Sequence, residues 1–511
     1  MKISTAQSLN IEKFSGTQVT DYSSGNTNTI LFEKEGVAYT TQRSAINITE
    51  DVSSLGLTNA ARGLYYWENN SLLYIVNDDT LYKGNQSTEV AAGPHFTSGS
   101  EAVTMLETIG ATPYLVILDA ENDEGWYMNA AETVTQFSTN FPTTLAHGGI
   151  ELGGHIIVMD EDGVIYNSDS LAITFSASSF ITAERENDKG VFLGKHHDYA
   201  AAFCTRTIEF FRNAGNTTGS ILSPRLDIFY NVGAVSGLSF WVNGDDTYFI
   251  GSSAPGQMAV YKLSNFQLET ISNEGMSAYV TKNIVQSGIY FRLSGLRMMG
   301  HDILVMTPYI LDSGEIVPKE SFGYDTVTKR WFFLRIAVSG YSYFPLIGFT
   351  KRTGGQNETV SARAGEGILH TGDIFSIDDS MEPVDSKLGG TAVYESGIYE
   401  SGVYVGNTSG ETENIPVTMR TGLVDAGTTG YKTLNAVNLD MESTDSSQTM
   451  SVKLSKNKTD DFGSPKSIDT SKPRKEKRMN GRFTRGNFEL GYSGDEQIFI
   501  KAIDIDIEGG L

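Results

Sequence analysis

Short runs of aliphatic and aromatic residues, each closed by a polar or glycine-containing turn, recur along the first three quarters of the chain. The run begins near Arg62, where RGLYYWENNSLLYIVNDDTLYKG alternates strand-forming side chains with the turn pairs Asn69-Asn70 and Asp78-Asp79. The same punctuation returns in TPYLVILDAENDEGWY, GGHIIVMDEDGVIY, YAAAFCTRTIEFF and LSFWVNGDDTYFI, then in HDILVMTPYI, YDTVTKRWFFLRI and GILHTGDIFSID. Such a series predicts a meander of short antiparallel strands. Taking Tyr82, Tyr127, Tyr166, Phe210, Tyr261, Trp331 and Phe375 as comparable outer positions gives separations of 45, 39, 44, 51, 70 and 44 residues. A four-stranded propeller blade takes about 40–50 residues, and the 70-residue interval has room for an insertion. The expected fold class is mainly β, a six- or seven-bladed β-propeller with an additional C-terminal antiparallel β-sheet or sandwich domain.

After Asp378 the texture changes. Tyr394, Tyr399 and Tyr404 recur every five residues between Ser-Gly pairs, a spacing that fits neither a helix nor an uninterrupted strand and reads as a connection or subunit-contact loop. Strand patterns resume from Ile415. In the last of them, EQIFIKAIDIDIE, Ile498 and Ile500 have one parity and Ile503, Ile505 and Ile507 the other, which predicts a bulge around Lys501 or Ala502. The expected organisation is therefore an N-terminal extension (1–59) contributing strands, a propeller (60–380), the Gly/Ser/Tyr-rich connection (381–411) and a C-terminal β domain (412–511).

The 511 residues carry 38 basic and 62 acidic side chains, a formal charge of −24 that disfavours general attraction to duplex DNA. One island departs from this balance. Between residues 472 and 485, Lys472, Arg474, Lys475, Lys477, Arg478, Arg482 and Arg485 stand against Glu476 alone, +6 in a chain otherwise at −30. It reads as a solvated loop, a contact for an acidic protein partner, or a contact for a phosphate backbone.

Signals for catalysis are sparse. Dinucleotide, P-loop, zinc-protease and nucleophile-elbow motifs are absent from the sequence. Cys204 is the single cysteine, read as a buried apolar residue. His196 and His197 are adjacent, so a strand would turn them to opposite faces, one into the core and one to solvent. The acidic turns Asp119, Glu121, Asp123 and Glu124, and Asp160 to Asp162, lack the EF-hand pattern and read as ordinary turns with a structural cation as the alternative. No cofactor, catalytic set or metal site is expected, and no segment reaches membrane-spanning length. The many carboxylates leave a propeller-fold carbohydrate hydrolase or lyase as the enzyme alternative.

Three stretches carry a more specific resemblance: ARGLYYWENNSLLYIVNDDTLYKG (61–84), RTIEFFRNAGNTTGS (206–220) and FTRGNFELGYSGDEQIFIKAIDIDIE (483–508). In their order they resemble the packaged-DNA stabilisation proteins, or tail hub and nozzle proteins, of short-tailed phages. The resemblance implies a noncatalytic structural subunit of the virion tail, made in the host cytoplasm and assembled as a homo-hexameric ring. The ring would sit below the portal-adaptor ring, with DNA in transient passage and a tail needle, plug or fibres at its distal end. Partner contacts are expected at the basic island and at Tyr394, Tyr399 and Tyr404.

Overall fold

The computed structural model of the chain describes residues 4–10, 29–34, 37–42, 47–50, 61–83, 88–90, 95–216, 218–253, 256–284, 290–298, 301–312, 315–318, 321–327, 329–334, 347–353, 356–362, 374–378, 384–385, 413–414, 417–420, 430–441, 443–456, 461–492 and 499–509. Tyr394, Tyr399 and Tyr404 lie outside the described residues.

Seven sheets of four or five strands follow one another in this part of the molecule. Blade one is Ala61–Trp67, Leu72–Asn77, Thr80–Lys83 and Thr88–Glu89. Blade two is Thr104–Glu107, Leu115–Asp119, Glu124–Met128 and Val134–Gln136, and blade three is Ile150–Leu152, His155–Met159, Val164–Ser168 and Phe175–Thr182. Blade four, Gly190–His196, Tyr199–Cys204, Ile208–Asn213 and Leu222–Tyr230, carries His147–Gly148 as a parallel addition on its inner edge. In blade five, Val232–Ala234 and Phe240–Asn243 share the inner edge of Asp246–Ser253, followed by Met258–Ser264 and Gln267–Thr270. Blade six is Tyr290–Met298, His301–Asp312, Ser321–Asp325 and Arg330–Leu334, with Glu315–Pro318 as a side hairpin. Blade seven is Ile347–Thr353, Gln356–Ala362 and Ile374–Asp378, and its fourth strand is Asn47–Glu50, from ahead of blade one. Ile347–Thr353 lies against both Tyr290–Met298 and Ala61–Trp67, so the ring is closed.

The second strand of a blade is covered on both faces, which explains why these strands read as unbroken apolar runs. Leu115–Asp119 shows the pattern. Leu115 and Ile117 join Trp67, Tyr74 and Leu81 in the core between blades one and two, whereas Val116 and Leu118 join Ile156, Val158 and Phe175 between blades two and three. Six of the seven aromatic markers fall on third strands. The exception is Trp331, on the fourth strand of blade six, where its ladder partner Tyr324 holds the third-strand position. The long interval is filled by the helix Glu274–Ile284 and the side hairpin. Asn273 caps that helix by accepting from Met276 N at 2.8 Å, and Met276 and Val280 are buried between blades five and six.

Apart from the short pair Val384–Asp385 and Glu413–Asn414, the remaining strands form two facing sheets. One has the order Thr29–Lys34, Val37–Gln42, Phe499–Gly509, Lys432–Met441, Glu476–Phe483, with Ser4–Asn10 also paired to Phe499–Gly509. The other has the order Val417–Arg420, Gly486–Tyr492, Thr449–Lys456, Lys466–Asp469. Leu434, Val437, Met450, Val452, Phe488, Leu490, Ile503, Ile505 and Ile507 fill the space between them. Asp440 pairs with Ala502 and Met441 with Ile500, which leaves Lys501 unopposed at the expected switch of parity.

Blades one and two are also tied by a buried charge. Arg62 is fully buried and its Nη2 donates to Asp119 Oδ1 at 2.6 Å and Glu121 Oε2 at 3.2 Å. Its Nε and Nη1 donate to the carbonyls of Glu101 (2.8 Å) and Asp78 (3.1 Å). Asn122 satisfies the other Asp119 oxygen at 2.9 Å, and Ser100 N and Glu101 N each donate to Glu121 at 2.7 Å. Gly99 is required beside this knot, because a Cβ there would lie 2.4 Å from the Glu121 carboxylate and 2.7 Å from Arg62 Cζ.

Two stability predictions follow from these packing arrangements. Arg62→Ala strands a buried carboxylate and should cost about 3–5 kcal/mol in chemical denaturation; a change below about 1 kcal/mol would show that the knot is not desolvated. Cys204 is fully buried between blades three and four, where burial pushes its thiol pKa strongly up. Cys204→Ser should therefore lose about 1–3 kcal/mol, and the native thiol should resist aromatic disulfide reagents until the propeller unfolds. Rapid labelling of the native protein would contradict that placement.

Candidate functional site

The basic island lies on and before Glu476–Phe483, an edge strand of the first sandwich sheet. Met479 and Phe483 point into the core, so alternation turns Arg478 and Arg482 outward, and both are exposed. The same alternation corrects the even treatment of the seven charges. Lys475 is only 3% exposed: its Nζ donates to Ser443 Oγ at 2.9 Å, and burial lowers its pKa. It cannot present its charge to a partner, and Lys477 is half-buried on the same parity. The exposed set is Lys472, Arg474, Arg478, Arg482 and Arg485. Within it Lys472 reaches Asp469 at 3.4 Å, Arg474 pairs with Glu476, and the Arg482 guanidinium lies 4.7 Å from the centroid of the Tyr431 ring. A groove of about 660 Å³ runs beside the strand over the outer face of the sheet, lined in part by Asn438, Asp440, Pro473, Arg474, Glu476 and Asp506.

The acidic turns are spent on the fold. Asp119 and Glu121 receive Arg62, Asp123 accepts from Leu145 N at 2.7 Å, and Glu124 accepts from Thr97 N and Oγ1. Asp160 closes its own turn by accepting from Asp162 N and Val164 N, and takes a third bond from the Tyr166 hydroxyl. Among the described residues no three His, Cys, Asp or Glu side chains are grouped to hold a metal. His196 is fully buried and its Nε2 accepts from Phe266 N at 3.0 Å, while the half-buried His197 faces Asp245 at 3.2 Å. Burial, then the neighbouring His197, holds the His196 pKa below its usual range.

A constellation not marked by any motif sits at the inner edges of the blades. Glu101, on the connection between blades one and two, accepts from His147 Nε2 at 3.2 Å. His147 lies inside blade four, its ring packed so closely on Gly237 that a Cβ there would be 2.2 Å from the ring. Arg292 is on the innermost strand of blade six. The His147 hydrogen bond is the largest influence lowering the Glu101 pKa, and the charges of Arg62 and Arg292 add to it. The Glu101–His147 pair thus links the connection between blades one and two to the segment added to blade four, with Gly237 of blade five packed against the imidazole.

Comparison with known proteins gives one informative match. The family profile Phage_stabilise, described as Bacteriophage P22 Gp10, beta-propeller, matches residues 26–354. No curated protein matches the chain. Among solved structures, the computationally designed Ika8 protein has 9% identity and a TM-score of 0.37, covering 64% of this chain and 99% of its own. The extracellular domain of BT4673 from B. thetaiotaomicron has 9% identity and a TM-score of 0.39 over 88% of this chain and 58% of its own. Streptogramin B lyase has 8% identity and a TM-score of 0.31 over 53% and 92%. These structural likenesses are too slight to bear on function, whereas the family match spans well over half of the chain. With its closed ring of β blades, the chain belongs to the Bacteriophage P22 Gp10 family of phage stabilisation proteins, noncatalytic structural components of the short-tailed phage tail.

Proposed function

We propose that copies of this DNA-stabilising tail component surround the DNA exit channel as a ring, six in number by family resemblance. The ring would sit beneath the portal-adaptor ring, with a needle, plug or fibres distal to it. One observation carries the reading: the blades close into a ring, Ile347–Thr353 lying against both Tyr290–Met298 and Ala61–Trp67, in a chain whose residues 26–354 match the phage stabilisation profile. The channel for a duplex is, in this reading, formed between subunits. In this reading residues 60–380 form the body of each subunit and 381–411, with Tyr394, Tyr399 and Tyr404, a contact loop. Residues 412–511 form an outer β domain tied to the body by residues 1–59. The protein would be synthesised in the host cytoplasm and incorporated as the tail is completed. Among the described residues no helix is long and apolar enough to cross a membrane.

Charge supports the same division of labour. At −24 the chain repels phosphate, which favours passage over grip, so stabilisation of the genome would act by closing the exit. The exposed arginines of the edge strand are the exception and suit an acidic protein neighbour; for each copy, a second copy is such a neighbour.

Arg478→Glu with Arg482→Glu should leave both β units folded yet weaken assembly, and added salt should weaken the wild-type contact in the same direction. Sedimentation across a salt series tests this, and salt-independent assembly equal to wild type in the double variant would remove the edge strand from the interface. Particles made without this protein should show an incomplete tail or lose DNA after packaging. Electron micrographs of closed, DNA-filled particles with normal tails would overturn the proposed role.

A further inference from the structure

On the sandwich sheet that carries the basic island, the charges of the outer face are sorted into columns. The edge strand Glu476–Phe483, the central strand Lys432–Met441 and the next strand Phe499–Gly509 are paired in register. Arg482, Thr433 and Glu508 form one cross-strand row, and Arg478, Ala436 and Asp506 form another. Leu434, Val437, Ile505 and Ile507 point into the core, so alternation turns these two rows to the outer face. Arg478, Arg482 and Thr433 are exposed, and Asp506 and Glu508 are half-buried. The Tyr431 ring, centred 4.7 Å from the Arg482 guanidinium, holds that side chain on the face without cancelling its charge. At these rows the face is basic along one edge, short and uncharged on the middle strand, and acidic beyond it. The two charged columns stand about 10 Å apart, one strand spacing to either side of Lys432–Met441.

Such a face is complementary to a second copy of itself. A two-fold axis along the outer side of Lys432–Met441 exchanges the two columns and keeps each row level. Arg478 then meets Asp506 of the second copy, Arg482 meets Glu508 of the second copy, and each pair is formed twice. Thr433 and Ala436 lie on the axis, where short side chains let two sheets approach to their usual spacing of about 10 Å. The groove of about 660 Å³ opens over the same face, with Ala436 and Asp506 among its lining residues. Edge-to-edge pairing of two Glu476–Phe483 strands is disfavoured by contrast, because an antiparallel match centred midway between Arg478 and Arg482 sets one against the other. At the far end of the axis Asp440 and Glu476 would meet negative charge. Arg474, which lines the groove with both and is paired with Glu476, offsets it.

We propose that two copies of the free chain dock through this face about a two-fold axis, held by Arg478–Asp506 and Arg482–Glu508 pairs between the copies. A two-fold contact closes at two copies and cannot by itself build a six-membered ring. It would keep the edge arginines covered in the free chain and release them when the ring forms. The inference deepens the reading that these arginines face another copy, and it rests on that reading for this assignment alone.

Sedimentation equilibrium of the purified full chain tests it with two complementary variants. The wild type is expected to form a dimer that weakens with added salt. Arg478→Glu with Arg482→Glu makes both columns acidic, and Asp506→Arg with Glu508→Arg makes both basic. Each variant alone should dissociate at least about tenfold more readily, whereas an equal mixture of the two should regain a dimer of wild-type strength. Undiminished dimerisation of the basic variant alone would place the arginines on some other acidic surface and overturn the proposal, as would failure of the folded variants to associate when mixed. Should either variant fail to fold, Thr433→Cys decides. Lying on the axis, it should be joined to its counterpart by a short bismaleimide, in a covalent dimer that high salt suppresses, while the buried Cys204 stays unmodified; monomer alone would overturn the proposal. A wild-type chain that stays monomeric overturns the dimer and leaves the ring reading standing. Normal tails on particles lacking the protein overturn the ring reading and leave the dimer.

Discussion

A propeller blade has two apolar faces and can bury neither alone, so the fold stands on closure of the ring. Strands such as Leu115–Asp119 and His155–Met159 send alternate side chains into two different interblade cores. Each buried Val, Leu or Ile contributes about 1.5–3 kcal/mol only while both neighbouring blades are present. The closing element is a strand of four residues, Asn47–Glu50, paired in register with Asp378 back to Phe375. The chain thereby joins its early part to its last blade, and the preceding strands Thr29–Lys34 and Val37–Gln42 enter the sandwich. One stretch of about twenty residues is thus committed to both β units, which couples them through the backbone rather than through a surface contact.

Closure also explains where the charges sit. Turns at the ends of blades bring backbone N–H groups together without ladder partners, and Asp and Glu side chains meet them: Asp160 within its own turn, Asp123 toward Leu145, Glu124 toward Thr97. What resembles a run of calcium ligands in the sequence is hydrogen-bonding material for turns and one internal counter-ion for Arg62. An acidic composition is then compatible with a stable fold, since part of it is spent on donors that the β meander would otherwise leave bare.

The parts of this architecture that were legible in the sequence are those governed by local alternation. Apolar runs and turn pairs revealed the blades, the aromatic markers identified third strands in six of them, and the isoleucine parities located the bulge at Lys501. Counting charges without alternation obscured Lys475, whose parity with Met479 and Phe483 sends it inward. The fourth strand of blade seven was invisible because four residues, NITE, are too short for a period and their partner lies more than three hundred residues away. Glu101 and His147 were hidden for a related reason: each is unremarkable in its own segment, and only the packing of the blades makes them neighbours.

The charge balance bears on how such a protein retains DNA. At −24 the chain repels a phosphate polymer on balance, although part of its acidic surplus is spent on backbone donors within the blades. In the assembly proposed above, such a net repulsion favours passage of DNA over grip and would leave retention to closure of the exit. The outward Arg478 and Arg482 on an edge strand run against that balance, and in the proposed assembly they would face an acidic protein neighbour rather than DNA, because the charge that would slow DNA inside a channel would fix register against such a neighbour.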